Sequence, residues 1–162
     1  MRGGVIVQSR DILDTVVSLK DHIDRAPQQP WVLLPSGEPG ASWTRLEDDE
    51  KYWAIALYYA PWHCQFVTSW ENEVGRFEVT YERLTTEPVK VLQEICERFE
   101  MPGTAQEAVR AVDLVAGNTR RTNFNVGVGG RGAKLLPFEL QQFVREMEAR
   151  SKVLQSQLSS EK

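Results

Sequence analysis

The feature that most constrains the fold is an apolar run, Val5-Ile6-Val7, which leads through Arg10 into an amphipathic stretch. The run has the composition of a short buried strand, and the stretch after Arg10 repeats apolar residues at helical spacing. Where a strand feeds a helix, the backbone N–H groups of the first helical turn and the helix dipole both favour anions. The sequence therefore predicts an α/β unit with an anion-binding corner.

Two polar side chains of this segment are candidates for holding a phosphate. Arg10 follows the strand, and its guanidinium fork can form bidentate, charge-assisted hydrogen bonds to phosphate oxygens. Ser18 comes eight residues later, about two helical turns along, and offers a hydroxyl. The same residues are also compatible with an ordinary solvated corner in which Ser18 is a small packed residue, because short motifs arise by chance.

Composition places the chain among soluble globular proteins. Its 162 residues are 41% hydrophobic and 26% charged, with a net charge of −4 at pH 7. General nucleic-acid binding is disfavoured because it depends on clustered Lys and Arg. No apolar run approaches the roughly 20 residues of a membrane span, and the N-terminus lacks a signal-peptide pattern. We expect a cytoplasmic protein without nucleic-acid or membrane partners, with Cys64 and Cys96 as buried free thiols and no metal site.

Helical periodicity recurs along the chain. It covers residues 11 to about 24, 46 to about 70, 87–99, 104–117 and 137–158. Pro61 should kink or break the second segment, Thr86 should cap the third, and Gly117 should close the fourth. Thr104 and Glu107 have capping-box spacing. In the last helix the predicted apolar face comprises Leu140, Phe143, Val144, Met147 and Leu154. Residues 27–42 and 127–132 are expected to be loops.

A second strand is predicted at residues 77–82, where apolar and polar residues alternate. A long helical crossover separates it from the first strand, so the two strands should be parallel neighbours in an α/β sheet. Two strands are few for a sheet buried on both faces, and as an autonomous fold this looks incomplete. We expect one domain over residues 1–158 and a frayed tail at 159–162.

The first segment resembles the 3′-phosphate-binding segment of the sulfotransferases that use 3′-phosphoadenosine 5′-phosphosulfate (PAPS). That family's pattern is an apolar strand, Arg-Asp-Pro-Arg-Asp, three residues and a Ser. Four of its positions are matched, by Arg10, Asp11, Asp14 and Ser18, whereas Ile12 and Leu13 replace its Pro and second Arg. The resemblance implies that Arg10 and Ser18 anchor the 3′-phosphate of the cofactor.

A second segment extends the resemblance. The strand that ends in Tyr81-Glu82, followed by an x-Pro turn at Pro88 and an amphipathic helix, is similar to the family's Tyr-Glu-Asp-Leu segment. In that family the Tyr lies near the adenine of the cofactor, so the resemblance implies the same place for Tyr81. Without the resemblance, Tyr81 would be interpreted as a half-buried aromatic residue of a strand.

The third segment is residues 124–132, Phe-Asn-Val-Gly-Val-Gly-Gly-Arg-Gly. It resembles the family's Phe-x-Arg-Lys-Gly-x-x-Gly loop, whose basic residues and backbone N–H groups also clasp the 3′-phosphate. Gly127 and Gly130 match its glycines, but Asn and Val stand where Arg-Lys is usual, and Arg131, Arg120 or Arg121 would have to supply the charge. The loop also spells G-x-G-x-x-G and approaches a Walker A motif, but the strand and the Ser/Thr that these motifs require are missing.

The resemblance implies a truncated three-layer P-loop-NTPase-like sulfotransferase fold, with few parallel strands and predominantly helical content. It implies PAPS or 3′,5′-diphosphoadenosine as cofactor, and sulfuryl transfer to an acceptor hydroxyl or amine if the N-terminal half of the family domain is supplied. The family's Lys-bearing phosphate loop and catalytic His have no counterpart, so no catalytic residue is assigned, and His22 and His63 are expected to be solvated or structural. A non-catalytic nucleotide-binding remnant and a helical protein-interaction module are the alternatives.

The first strand also predicts a partner. In the complete family fold it lies between strands that this sequence lacks, so at least one edge of Val5, Ile6 and Val7 should expose unpaired backbone groups. Such edges pair with other chains. We expect a homodimer or a partner chain to cover this edge, with Trp53 and Trp62 near the contact.

Overall fold

The computed structural model describes residues 4–25, 43–70, 73, 75–116 and 128–160. They form two strands, β1 (Val5–Ser9) and β2 (Arg76–Thr80), a short 3-10 helix (Trp43–Arg45) and eight α-helices. The helices are α1 (Ile12–Arg25), α2 (Asp48–Tyr58), α3 (Ala60–Ser69), α4 (Tyr81–Thr86), α5 (Pro88–Arg98), α6 (Ala105–Ala116), α7 (Gly132–Leu135) and α8 (Phe138–Ser160). The chain divides into a sheet unit, Met1–Arg10 with Trp70–Val128, and a helical unit, Asp11–Ser69 with Gly129–Lys162. The expected α/β composition, mostly helical with a small parallel sheet, is confirmed.

The sheet unit is built on β1 and β2, which pair in parallel as expected. Val7 and Val79 are buried, whereas Ile6 on β1 is half exposed. The second strand ends at Thr80 rather than at residue 82, so the predicted boundary is wrong. The reason is local: the Thr80 hydroxyl accepts the backbone N–H of Arg83 at 3.2 Å, which caps α4 and makes Tyr81 its first residue.

Helix starts in the sheet unit follow the capping chemistry, with one exception. The expected capping box is confirmed, because the Thr104 backbone N–H donates to the Glu107 carboxylate at 2.8 Å and the Glu107 N–H donates to the Thr104 hydroxyl at 3.2 Å. Thr86 is not the cap of α5. It is the last residue of α4, its hydroxyl donates to the carbonyl of Glu82 at 2.9 Å, and α5 begins at Pro88. The expected closing residue Gly117 and the predicted 27–42 loop lie outside the described residues.

The helical unit packs α1 against α2, α3, α7 and α8. Its fully buried core includes Val16, Val17, Ile55, Leu140 and Val144. The predicted break at Pro61 is confirmed, since α2 ends at Tyr58 and α3 begins at Ala60. There the proline stands in the first helical turn, where its missing N–H costs nothing. In α8 the predicted apolar face does not reach Leu154, which is half exposed.

A network of ion pairs stabilises the helical unit beside this core. Lys20 on α1 lies 2.9 Å from Asp24 and 2.8 Å from Asp48, and Lys51 lies 3.2 Å from Asp24. The indole N–H of Trp43 donates to Asp24 at 2.9 Å. Burial alone would raise the pKa of Asp24, but the hydrogen bonds from Lys20, Trp43 and Lys51 outweigh it and lower that pKa. The network therefore joins α1 to the start of α2.

Within the described ranges, none of the helices combines the length and apolarity needed to cross a lipid bilayer.

Candidate functional site

Two of the predicted site residues, Arg10 and Tyr81, meet at the carboxyl edge of the sheet. Ser9 is paired with Thr80 in the strand register, so Arg10 and Tyr81 are the next residues along their chains. The guanidinium carbon of Arg10 lies 4.0 Å from the centre of the Tyr81 ring. At this distance the cation is attracted by the ring face, and the aromatic surface restrains the guanidinium plane. The pair is thus held by the ends of two parallel strands.

One hydrogen-bond donor of Arg10, its Nε, is unused in this arrangement. Its Nε is buried and has no hydrogen-bond partner among the described residues. Leaving such a donor unpaired costs about 1–3 kcal/mol, so buried polar groups in folded proteins are almost always satisfied. The acidic side chain on β2, Glu78, is bonded to the Ser9 hydroxyl at 2.9 Å and to Arg76. Arg10 therefore combines a positioned cation with an unused donor, as an anion-binding residue does.

Residues 129–132 of the predicted glycine loop belong to the helical unit, and the donors of Gly130, Arg131 and Gly132 are in use. The carboxylate of Asp14, which is 2% exposed, accepts the backbone N–H of Gly130 at 2.7 Å and that of Gly132 at 2.6 Å. Arg131 forms an ion pair with Asp21 at 2.8 Å. Backbone N–H groups that converge on one anion form an anion-binding concavity. Here the anion is a carboxylate of the chain itself.

Glycine is required at two positions of this loop for different reasons. Gly130 has a φ of 76°, the left-handed conformation that other residues adopt at a cost. At Gly132 a Cβ would overlap the carbonyl carbon of Leu13 and lie 2.7 Å from the backbone nitrogen of Asp14. The loop predicted over residues 127–132 ends one residue early, because Gly132 begins α7. Gly127 lies outside the described residues.

The start of α1, where the sequence predicts an anion site, is capped by Asp11. Its carboxylate accepts the backbone N–H of Leu13 at 2.9 Å and that of Asp14 at 3.2 Å, and it also pairs with Arg145. Ser18, half buried, lies four residues after Asp14 on α1. Two N–H groups of the first turn of α1 are thus bonded to Asp11, a side chain to which the resemblance assigns no role in binding.

The sequence analysis assigned no structural role to Asp14, although its position within the apolar pattern of α1 indicated one. Asp14 lies between Leu13 and Val17 in a stretch whose apolar residues face the core. A carboxylate in that position cannot be buried without donors, so its presence implies a polar partner from elsewhere in the chain. The spacing of α1 could show the need for such a partner, but it could not identify Gly130 and Gly132.

The histidine and cysteine side chains are partly or fully buried. His63 stacks on Tyr59 at 5.6 Å, and burial lowers its pKa against the opposing charge of Glu148. The pKa of His22 is also lowered by burial. Cys64 is buried, as expected, which raises the pKa of its thiol to about 11, whereas Cys96 is only half buried.

No group of three or more His, Cys, Asp and Glu side chains in the described ranges is arranged to hold a metal ion.

Comparisons with models of known protein families, with curated proteins and with solved structures found no match to this chain.

Proposed function

We propose that this chain binds an adenine nucleotide carrying a 3′-phosphate, such as 3′,5′-diphosphoadenosine, as the cofactor-binding part of a sulfotransferase-like domain. The observation that carries the proposal is the Arg10–Tyr81 pair, with its unsatisfied Nε, beyond the carboxyl ends of two parallel strands. Ligands of open α/β sheets bind at that edge. Arg10 would hold the phosphate through its free donor, and Tyr81 would flank the base.

The residues of the helical unit have a smaller part in this proposal. The N–H of Gly130 is bonded to Asp14, and Arg131 is paired with Asp21, so these donors already have acidic partners within their own unit. Ser18 and Gly127 keep the roles implied by the resemblance, without a contact that supports them. Arg10 therefore carries the main share of phosphate recognition in the proposal.

Sulfuryl transfer from PAPS to a hydroxyl or amine is proposed only for a complete architecture. Such a transfer needs groups that position donor and acceptor and stabilise charge on the equatorial oxygens. The resemblance assigns that work to a Lys-bearing loop and a His base, and no residue of this chain is assigned to either. We expect no transfer by the purified chain. Turnover that persists through purification and disappears in Arg10→Ala would contradict this expectation.

Calorimetry with two nucleotides tests the binding proposal. We expect 3′,5′-diphosphoadenosine to bind more tightly than 5′-AMP, because the additional phosphate meets the Arg10 guanidinium. Loss of a hydrogen bond to a charged group costs about 1.5–3 kcal/mol, so Arg10→Ala should weaken binding of the diphosphate roughly 10- to 150-fold. Arg98→Ala, which removes an exposed cation from α5 of the same unit, should leave binding unchanged. Equal, negligible binding of both nucleotides would refute the proposal.

An interaction module is a second candidate, favoured by the aromatic surface of α2 and α3. Tyr58, Trp62 and Phe66 are each about half exposed, and the rings of Trp62 and Phe66 stack at 5.4 Å. The spacing of four residues places Trp62 and Phe66 along one side of α3, and Tyr58 is the last residue of α2. Light scattering tests this candidate together with the predicted pairing of the β1 edge. A stable monomer at high concentration, with slow amide exchange along β1, would refute the predicted pairing of the β1 edge and self-association through this aromatic surface.

A further inference from the structure

The sheet unit contains an open groove of about 880 Å³ between α5 and α6. Leu92 and Cys96 line it from α5, and Ala108 and Ala111 line it from α6. Gly103 approaches the α5 side so closely that a Cβ there would lie 3.1 Å from the Cys96 sulfur. Small side chains along α6 thus leave room beside α5 for an apolar side chain of another molecule.

The apolar surface continues beyond the groove along α6. Val115, four residues after Ala111 and therefore on the same side of the helix, is 55% exposed, and Leu114 is 74% exposed. An elongated apolar strip beside two packed helices has the shape that a third helix fills, since helices pack with their axes about 8–10 Å apart. Such a strip on a protein surface marks an interaction site.

The charge of the groove is of one sign. Among the residues that the structure describes, its lining includes Glu97, Glu100 and Glu107 but no Lys, Arg or His. Hydrogen bonds from the Thr104 backbone and hydroxyl hold the pKa of Glu107 below its usual value, so this carboxylate stays ionised. Glu97 and Glu100 are exposed, and neither pairs with a cation of the described residues. We call these three side chains the rim carboxylates. Their negative charge favours a cationic occupant of the groove.

We propose that this groove docks a basic amphipathic helix of a partner protein. The apolar face of that helix would pack on Leu92, Cys96 and Ala108, and its flanking Lys or Arg side chains would meet the three rim carboxylates. A second copy of this chain is less suited, because its net charge is −4. The inference is independent of the nucleotide proposal, since it uses none of the residues of the Arg10–Tyr81 pair.

Alkylation of Cys96 measures occupancy of the groove directly. Cys64 is an internal control, because a buried thiol with a pKa of about 11 reacts slowly near neutral pH. The probe is a synthetic helical peptide of roughly 18 Leu, Ala and Lys residues, and the control peptide carries Glu in place of each Lys. At ten times its dissociation constant, the Lys peptide should slow iodoacetamide alkylation of Cys96 about ten-fold, while the Glu peptide should have no effect.

Matched variants show how much of the peptide affinity comes from the rim carboxylates and how much from apolar contact alone. The double change Glu97→Gln with Glu100→Gln should weaken binding of the Lys peptide about three- to ten-fold, the range for the loss of two exposed ion pairs. Glu82→Gln, an exposed acid of α4 outside the groove, should leave its affinity unchanged. No protection, equal protection by both peptides, or insensitivity to the double change would overturn the proposal. Cys96 protection that rises with protein concentration alone would overturn it in favour of self-association.

Discussion

The buried carboxylate of Asp14 makes a sharp stability prediction. In Asp14→Asn the remaining carbonyl oxygen can accept only one of the two N–H groups now bonded to the carboxylate, Gly130 at 2.7 Å and Gly132 at 2.6 Å. The second N–H would face an amide NH2 group, and the first would lose its charge assistance. A hydrogen bond to a charged group contributes about 1.5–3 kcal/mol and a neutral one about 0.5–1.5 kcal/mol. We therefore expect Asp14→Asn to lower the free energy of unfolding by about 3 kcal/mol.

Urea unfolding measures this loss as a lower midpoint at an unchanged slope. Glu146→Gln is the matched control, because it makes the same carboxylate-to-amide change at an exposed position of α8 and should cost less than about 0.5 kcal/mol. Amide exchange locates the effect, since the Gly130 and Gly132 protons should exchange faster in Asp14→Asn. The reasoning would be refuted if the free energy of unfolding of Asp14→Asn lay within about 0.5 kcal/mol of the parent's and both glycine amides stayed protected.

Three further predictions concern the glycines that contact Asp14, the ion pairs of Asp24 and the two thiols. Gly132→Ala should cost about 1–3 kcal/mol in urea unfolding because its Cβ overlaps α1. Gly130→Ala should cost only about 1 kcal/mol, through its φ of 76°; equal costs would contradict this. The lowered pKa of Asp24 gives stability that is present above its unfolded pKa of about 4 and is lost as pH falls further. The melting temperature of Asp24→Asn should therefore fall less between pH 5 and pH 2 than that of the parent. At pH 8, Ellman's reagent should modify Cys96 well before Cys64, whose thiol has a pKa of about 11, whereas equal rates in the folded protein would refute that burial.

Local patterns were enough to predict most of the elements. The apolar run at residues 5–7 indicated β1, and the periodicity after it indicated α1. The Thr104–Glu107 spacing indicated the start of α6. These predictions hold because a strand, a helical face and a capping box depend on residues within a few positions of each other. The failures at Tyr81 and Thr86 are also local, since the Thr80 hydroxyl caps α4 and the Thr86 hydroxyl bonds back to the carbonyl of Glu82.

The site depended on contacts that no local pattern encodes. The sequence identified Arg10 and Tyr81 as candidates, and the parallel register of β1 and β2 places one against the other. The resemblance also implied that Gly130 helps to bind an anion, but the anion that its N–H contacts is Asp14, more than a hundred positions away. A phosphate and a carboxylate use the same backbone N–H groups. The sequence thus determined which groups can bind an anion, and the tertiary structure decided which of them an internal carboxylate already occupies.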